Sequence, residues 1–306
     1  DMHISICIVG FRNAAEIARC VSNLAAQSHD QFDIVICENG GAQSCGELVS
    51  VVPKRLPGGQ AVECIQAEGN IGYAGGVNVC MRARPRSDGW WVVNADTQPA
   101  PDALEQLVER LQRGDCHAVG GTLYHPGGKV QAYGGHWRAM LGRSVSLGMG
   151  ADIADVPDVR RVERRMNYIL GASMLVDRHY VETVGMMRED YFLYCEEVEW
   201  GLRGVAKGLR PGFAPTSLVQ HGQGGVTGSA APIRHRPRLP IYMDERNKLH
   251  VVRDTTPWLL PVAIPATLVL LTLRYLPRLA WRQWGYALDG WWAGVRGVRG
   301  RPDWVS

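Results

Sequence analysis

Four short, almost wholly apolar runs alternate with stretches of helical periodicity through the first 117 residues, and this alternation leaves few folds open. The runs are Ile4–Val9, Ile34–Cys37, Val62–Gln66 and Trp90–Val93. They are too short for buried helices and read as strands, with Ile4–Val9 apolar enough for a buried parallel strand. Between them, Ile17, Ala18, Val21, Leu24 and Ala25 share one helical face. Asn13 is placed to cap that helix, and Glu16 three residues later completes a capping-box-like pair. A second helix runs to about Arg84. Pro101 and Asp102 open a third, with Leu104, Leu107, Val108 and Leu111 facing inward. The pattern predicts an α/β fold around a Rossmann-like, mostly parallel open sheet, whose ligands bind beyond the carboxyl ends of the strands.

From Ala118 to about Arg165 the pattern loosens into glycine-rich hairpins and polar loops. Ile169–Val176 then reads as another core strand, Glu196–Lys207 as a helix, and Ser217–Gln220 as a strand. The expected organisation is a domain over residues 1–256, with halves 1–117 and 118–256, followed by a distinct helical segment over 257–306. A net charge of +3 is too small to argue for nucleic acid. The eight cysteines form no Cys-x-x-Cys pair and several lie in the apolar runs, which fits small buried hydrophobes in a reducing compartment. The chain enters a strand almost at once, without a signal-peptide layout, so a cytoplasmic location is expected.

The last fifty residues differ in kind. Trp258–Leu273 is uncharged and apolar, but short for a membrane span and interrupted by Pro261 and Pro265. Beyond it, Leu273, Leu276, Ala280, Trp284, Ala287 and Trp291 fall on one helical face, while Arg274, Arg278 and Arg282 line another. With the tryptophans crowded here, this predicts an element lying on the inner face of the cell membrane, as a peripheral contact. Packing on the domain or in a homodimer is the alternative.

Asp96 is the first residue to single out for chemistry. It follows a buried strand directly, where a carboxylate faces a ligand rather than the core. A carboxylate there suits a hard divalent cation, Mn2+ or Mg2+, that neutralises a diphosphate. Asn94-Ala95-Asp96 before Thr97-Gln98-Pro99 is also ordinary turn chemistry. No Gly-x-Gly-x-x-Gly follows the first strand, which weakens a dinucleotide-binding reading.

Taken together, several motifs carry a resemblance. They are Ile4–Phe11, Glu38-Asn39-Gly40, Gly69-Asn70-Ile71-Gly72 with Gly75-Gly76-Val77-Asn78, Asn94-Ala95-Asp96, Gly171-Ala172-Ser173, Tyr191–Glu199, His221 and Arg246-Asn247. In order and spacing, over about residues 4 to 250, the chain resembles the family 2 inverting glycosyltransferases of GT-A fold, and looks closest to their rhamnosyltransferase branch. The resemblance implies that Glu197 is the catalytic base and that Asp96 and His221 hold the metal. It implies substrate contacts from Phe11, Glu38, Asn70, Gly72, Gly76, Asn78, Asn94, Gly171, Ala172, Glu196 and Arg246. Glu38 would meet the base or ribose, and the glycines after His221, including Gly224 and Gly225, would fold over the diphosphate. The implied donor is a dTDP- or UDP-linked sugar, with L-rhamnose as one candidate. The implied acceptor is a glycan or lipid-linked molecule of cell-surface polysaccharide synthesis. Adjacent helical residues diverge by roughly 100°, so Glu196 and Glu197 are not expected to share one acceptor. Asn94 stands where many members carry a second acid. Two other readings compete: a sugar-nucleotide nucleotidyltransferase, disfavoured because Gly10-Phe11-Arg12-Asn13 is no triphosphate cradle, and a non-catalytic nucleotide-binding scaffold at the membrane.

Overall fold

The structure, a computed structural model, describes residues 1–222 and 228–306. Its first half alternates as the sequence predicts, with one further helix, α2, where none was expected: β1 (Ile4–Gly10), α1 (Ala14–Leu24), β2 (Phe32–Glu38), α2 (Ala42–Val51), β3 (Val62–Gln66), α3 (Gly72–Ala83) and β4 (Gly89–Val93). Then come β5 (Thr97–Pro99), α4 (Ala103–Gln112), β6 (Ala118–Tyr124), β7 (Val130–Ala132), β8 (Gly134–Arg138), β9 (Arg143–Leu147) and α5 (Val159–Arg165). The remainder comprises β10 (Ser173–Asp177), α6 (Arg178–Val184), α7 (Glu196–Ala206), β11 (Gly212–His221), α8 (Arg238–Thr255), α9 (Leu260–Tyr275) and α10 (Trp281–Val295).

The continuous apolar runs are explained by a core on each face of the sheet. Ile4, Ile6 and Ile8 pack with Ile17, Leu24 and Leu104 on one side, while Cys7, Val35 and Cys37 pack with Val77 and Met81 on the other. The strand order is β3-β2-β1-β4-β10-β6-β11-β5. The first four strands are mutually parallel, but β10 runs against both β4 and β6, so the sheet is mixed.

Three local expectations are corrected. The stretch read as loose loops contains β6, which is buried for most of its length. Its Gly120 and Gly121 lower strand propensity, yet they are needed, because Ile169 and the Ser217 backbone fill the space where their Cβ atoms would lie. Strand β10 begins at Ser173, since Leu170–Ala172 turn and the Ala172 carbonyl accepts from Asn94 N at 3.1 Å. Asn13 sits at the N-cap of α1, and its carbonyl accepts from Ile17 N at 3.1 Å, but its side chain bonds no helix N–H. Its Oδ1 accepts from Phe11 N at 2.9 Å and its Nδ2 donates to Glu16 Oε1 at 3.0 Å, which shapes the preceding loop.

The C-terminal segment departs further from expectation. The prolines do not interrupt α9: Pro261 lies in the first turn, where no N–H partner is needed, and Pro265 is exposed. With its flanking 3-10 turns the helix spans Pro257–Arg278, 22 residues, and is by length and composition long and apolar enough to cross a membrane. The single apolar face expected over 273–291 does not form, because the helix ends and Leu279 takes a left-handed conformation before α10 starts. Helix α10 instead packs on α8, which lies in the half over residues 118–256. Gly290 and Gly294 leave α10 no Cβ against the Tyr242 and Arg246 carbonyls of α8, so the two backbones touch.

Candidate functional site

A cavity of about 700 Å3 opens at the carboxyl ends of β1 and β4. The structure brings together there Phe11, Asn70, Gly72, Asn94, Asp96, Gly171, Ala172, Glu196, Glu197 and His221.

Asp96 and His221 meet through sheet register. Strand β5, just after Asp96, pairs antiparallel with β11 so that Thr97 faces His221, and Gly222 N donates to the Asp96 carbonyl at 2.9 Å. This leaves His221 Nε2 3.3 Å from Asp96 Oδ1. His221 Nδ1 lies 2.8 Å from Gln131 Oε1 on β7. With Gln131 accepting the Nδ1 proton, the Nε2 lone pair of a neutral imidazole and a carboxylate oxygen point at the same space. Two converging electron-rich atoms, one of them oriented by an outer partner, fit a divalent cation. Among the described residues no third His, Cys, Asp or Glu completes a cluster, so a cation held here takes its other ligands from substrate oxygens and water. Asn94 contributes through its backbone, its carbonyl accepting from Thr97 N and Oγ1 at 3.2 and 2.7 Å.

Glu196 and Glu197 open α7 behind an unusual turn. Phe192, Tyr194 and Cys195 all have positive φ, at 64°, 71° and 66°. Each such residue costs on the order of 1 kcal/mol or more, so the surroundings must hold the turn in place. Asn247 Nδ2 faces the carbonyls of Tyr191, Leu193 and Tyr194 at 2.9, 2.7 and 2.9 Å. On the other side, Tyr73 N donates to the Phe192 carbonyl at 2.9 Å, an approach open only because Gly72 (φ 79°) has no Cβ. The Glu197 carboxyl lies beside Gly171, whose carbonyl accepts from Tyr73 Oη at 3.0 Å. Burial, with the charge of Asp244 adding to it, pushes Glu197 up to about 7. Burial and the neighbouring Glu197 also raise Glu196 well above the usual carboxylate range, and its Oε2 is buried without a hydrogen-bond partner.

Four residues chosen from the sequence lie outside the cavity lining, each for a packing reason. Glu38 is buried beneath the Phe11–Asn13 loop, where Oε1 accepts from Arg12 N and Gly40 N at 2.9 and 3.0 Å. Gly76 lets α3 approach the Val9 side chain. Asn78 is buried and donates to the Met187 carbonyl and Glu189 Oε2. Arg246 is fully buried and donates to the carbonyls of Tyr191 and Gly300, which makes it a positioning residue for the turn before Glu196. Gly224 and Gly225 lie outside the described residues.

Sequence reasoning missed Gln131, which sits in a stretch without motif or periodicity. It also missed the tail, where Trp304, Val305 and Ser306 line the cavity. The Arg238 guanidinium stacks on Trp304 at 3.9 Å, and Asn70 Nδ2 donates to the Ser306 carbonyl at 2.9 Å. The isolated Trp304 was the only signal for the tail.

The fold is of the GT-A type, an α/β architecture with a mixed central sheet. The mannosyltransferase PcManGT from Pyrobaculum calidifontis, solved with GDP-Man and Mn2+, superposes with TM-score 0.58 at 15% identity, covering 96% of this chain and 87% of that one. GalNAc-T7, solved with UDP, GalNAc and Mn2+, gives 0.61 at 14% identity, covering 81% of this chain and 51% of that one. Residues 5–177 match the model of glycosyl transferase family 2, and the chain belongs to that family. It is 22% identical over 244 residues to the N-acetylglucosaminyl-diphospho-decaprenol L-rhamnosyltransferase of Mycobacterium tuberculosis, covering 74% of this chain and 78% of that protein.

Proposed function

We propose that this glycosyltransferase is an inverting, metal-dependent enzyme that moves a sugar, L-rhamnose being the leading candidate, from a dTDP- or UDP-linked donor to a lipid-linked glycan acceptor. The observation that carries the reading is one cavity holding both the Asp96–His221 pair and the raised carboxyl of Glu197. Asp96 and His221 would hold a Mn2+ or Mg2+ ion, which would supply positive charge for the departing diphosphate. Phe11 and Asn70 line the side of the cavity assigned to the donor.

Glu197, as carboxylate, takes the proton of the acceptor hydroxyl while that oxygen bonds to the anomeric carbon from the face opposite the diphosphate. The bond from the anomeric carbon to the diphosphate breaks, its electron pair leaves with the nucleoside diphosphate, and configuration inverts. A side chain poised near neutrality is suited to this, being ionised in part yet basic enough to accept the proton. The relative from Mycobacterium tuberculosis bears a diphospho-decaprenol acceptor in its name, which supports the lipid-linked reading. So does the exposed stripe Trp258, Val262, Pro265, Val269 and Leu273 on α9, which would lie on the membrane surface.

The test is a panel of dTDP-, UDP- and GDP-sugars, scored by thermal protection and hydrolysis with and without Mn2+. Protection by one nucleotide class that depends on metal supports the reading. Protection by none, or none that metal changes, overturns it.

A further inference from the structure

A second cavity, of about 580 Å3, lies between the β8–β9 hairpin, α8 and α9, outside the site described above. Cys195 lines it, while the next two residues, Glu196 and Glu197, line the first cavity, so the strained turn is a wall common to both. Its lining is divided. Thr267, Leu270, Leu271 and Arg274 follow one face of α9 at helical spacing, and Arg278 continues that face in the next turn. Arg143 reaches the same space from β9.

Charge in the cavity is not balanced. Asp244 and Glu245 pair with Lys248 at 3.0 and 3.2 Å and leave one negative charge over, which the three lining arginines Arg143, Arg274 and Arg278 outweigh. Arg143, Arg274 and Arg278 are exposed and make no ion pair among the described residues, Arg278 only donating to the Arg274 carbonyl at 2.6 Å. Three guanidinium groups that make no ion pair among the described residues, on a cavity lining that is net positive, form a receptor for a multiply charged phosphate. The apolar stripe begins where they end. Leu273, 61% exposed, is the chain neighbour of Arg274, and Leu279, 57% exposed, is that of Arg278. A phosphate bound here is therefore adjacent to a surface that covers hydrocarbon.

Resting on the glycosyltransferase reading above, we propose that this second cavity binds the phosphate groups of a prenyl-diphosphate-linked acceptor through Arg143, Arg274 and Arg278. The prenyl chain follows the exposed stripe of α9 toward the bilayer. The sugar end passes the Cys195 turn to present its hydroxyl to Glu197. The acceptor thus enters from the α9 side and the donor from the β1–β4 side.

Farnesyl diphosphate serves as the probe, with binding followed by intrinsic tryptophan fluorescence on the full chain, so that no turnover is required. Wild type should bind it, and R274A/R278A, with R143A separately, should weaken binding by about tenfold or more. UDP or dTDP with Mn2+ should not displace it, and the variants should keep their melting temperature and nucleotide protection. Three results would overturn the proposal: affinity indifferent to the arginines, displacement by the nucleotide, or equal arginine-dependent capture by phosphatidylglycerol vesicles lacking prenyl diphosphate. The last would make the arginines a general anionic-surface contact. Because the readout is binding, loss of the sugar-transfer reading and loss of this one are separately visible.

Discussion

The two sides of the cavity, the proposed donor side and the proposed acceptor side, are built on different principles. On the donor side, β1, β3 and β4 are parallel strands whose ends deliver Phe11, the Asn70 loop and Asp96 to one edge in chain order. On the acceptor side no strand end delivers Glu197. It follows three residues in left-handed backbone, gripped by Gly72-Tyr73 from one direction and by Arg246-Asn247 from the other. The donor side is thus a product of topology, and the acceptor side a product of buried polar clamps that hold strain. The first should tolerate local change outside its contacts. The second should fail when a distant clamp is removed.

The largest expected effect falls on the acceptor side. Glu197→Gln should lower sugar transfer by roughly a thousandfold while leaving nucleotide protection intact. Unimpaired turnover would remove the base assignment. The same variant carries a stability signature. The folded-state value of Glu197, about 7, lies above the ordinary 4.5, so burial stabilises the protonated form, and that contribution is lost as pH rises through about 7. Glu197→Gln should therefore melt a few degrees above wild type at pH 8 and no higher at pH 4, as calorimetry would read.

On the donor side, Asp96→Ala should reduce kcat/KM by about a hundredfold and abolish the difference that Mn2+ makes to nucleotide protection. If protection with Mn2+ is unchanged, the metal lies elsewhere. Asn247→Ala sharpens the contrast, because Asn247 is not in the cavity lining yet holds three carbonyls of the turn. We expect a loss of about 2–4 kcal/mol in stability and a fall of about tenfold in kcat, with nucleotide affinity retained. A parallel loss of nucleotide affinity would show that the two sides are one unit. The smallest effect is in the pH profile. Wild-type kcat should rise with pH up to about 7 and level off, since the base must be ionised. A profile flat from pH 5 to 8 would contradict the raised carboxyl.

Much of the donor side was legible because a buried parallel strand has to be apolar on both faces and has to stop where the ligand begins. The ends of Ile4–Val9 and Trp90–Val93 therefore located Phe11 and Asp96 before any coordinates. The same logic misled for Glu38, which ends β2 as expected but turns inward to hold the Arg12 and Gly40 amides. A strand end fixes where a residue's backbone lies, and the loop above it decides which way the carboxylate faces. Gly76 and Asn78 failed similarly, since residues of one glycine-rich segment were assigned to the nucleotide when α3 turns them into the core. Arg246 was expected to meet substrate and lies instead outside the cavity lining, donating to the carbonyls of Tyr191 and Gly300, because a buried guanidinium that binds backbone carbonyls is indistinguishable in sequence from one that binds a ligand.

By itself the sequence determined the α/β alternation, the carboxyl-edge position of Asp96 and the acidic opening of α7. These follow from periodicity and local stop signals, which act over a few residues. Only the tertiary structure decided that β10 runs antiparallel, that His221 meets Asp96 with Gln131 behind it, and that Trp304, Val305 and Ser306 line the cavity. It also divided the C-terminal segment into an exposed α9 and an α10 packed into α8. Each of these depends on residues tens to hundreds of positions apart competing for the same buried space. That competition is settled by packing and hydrogen-bond satisfaction across the whole chain, and no local pattern records it.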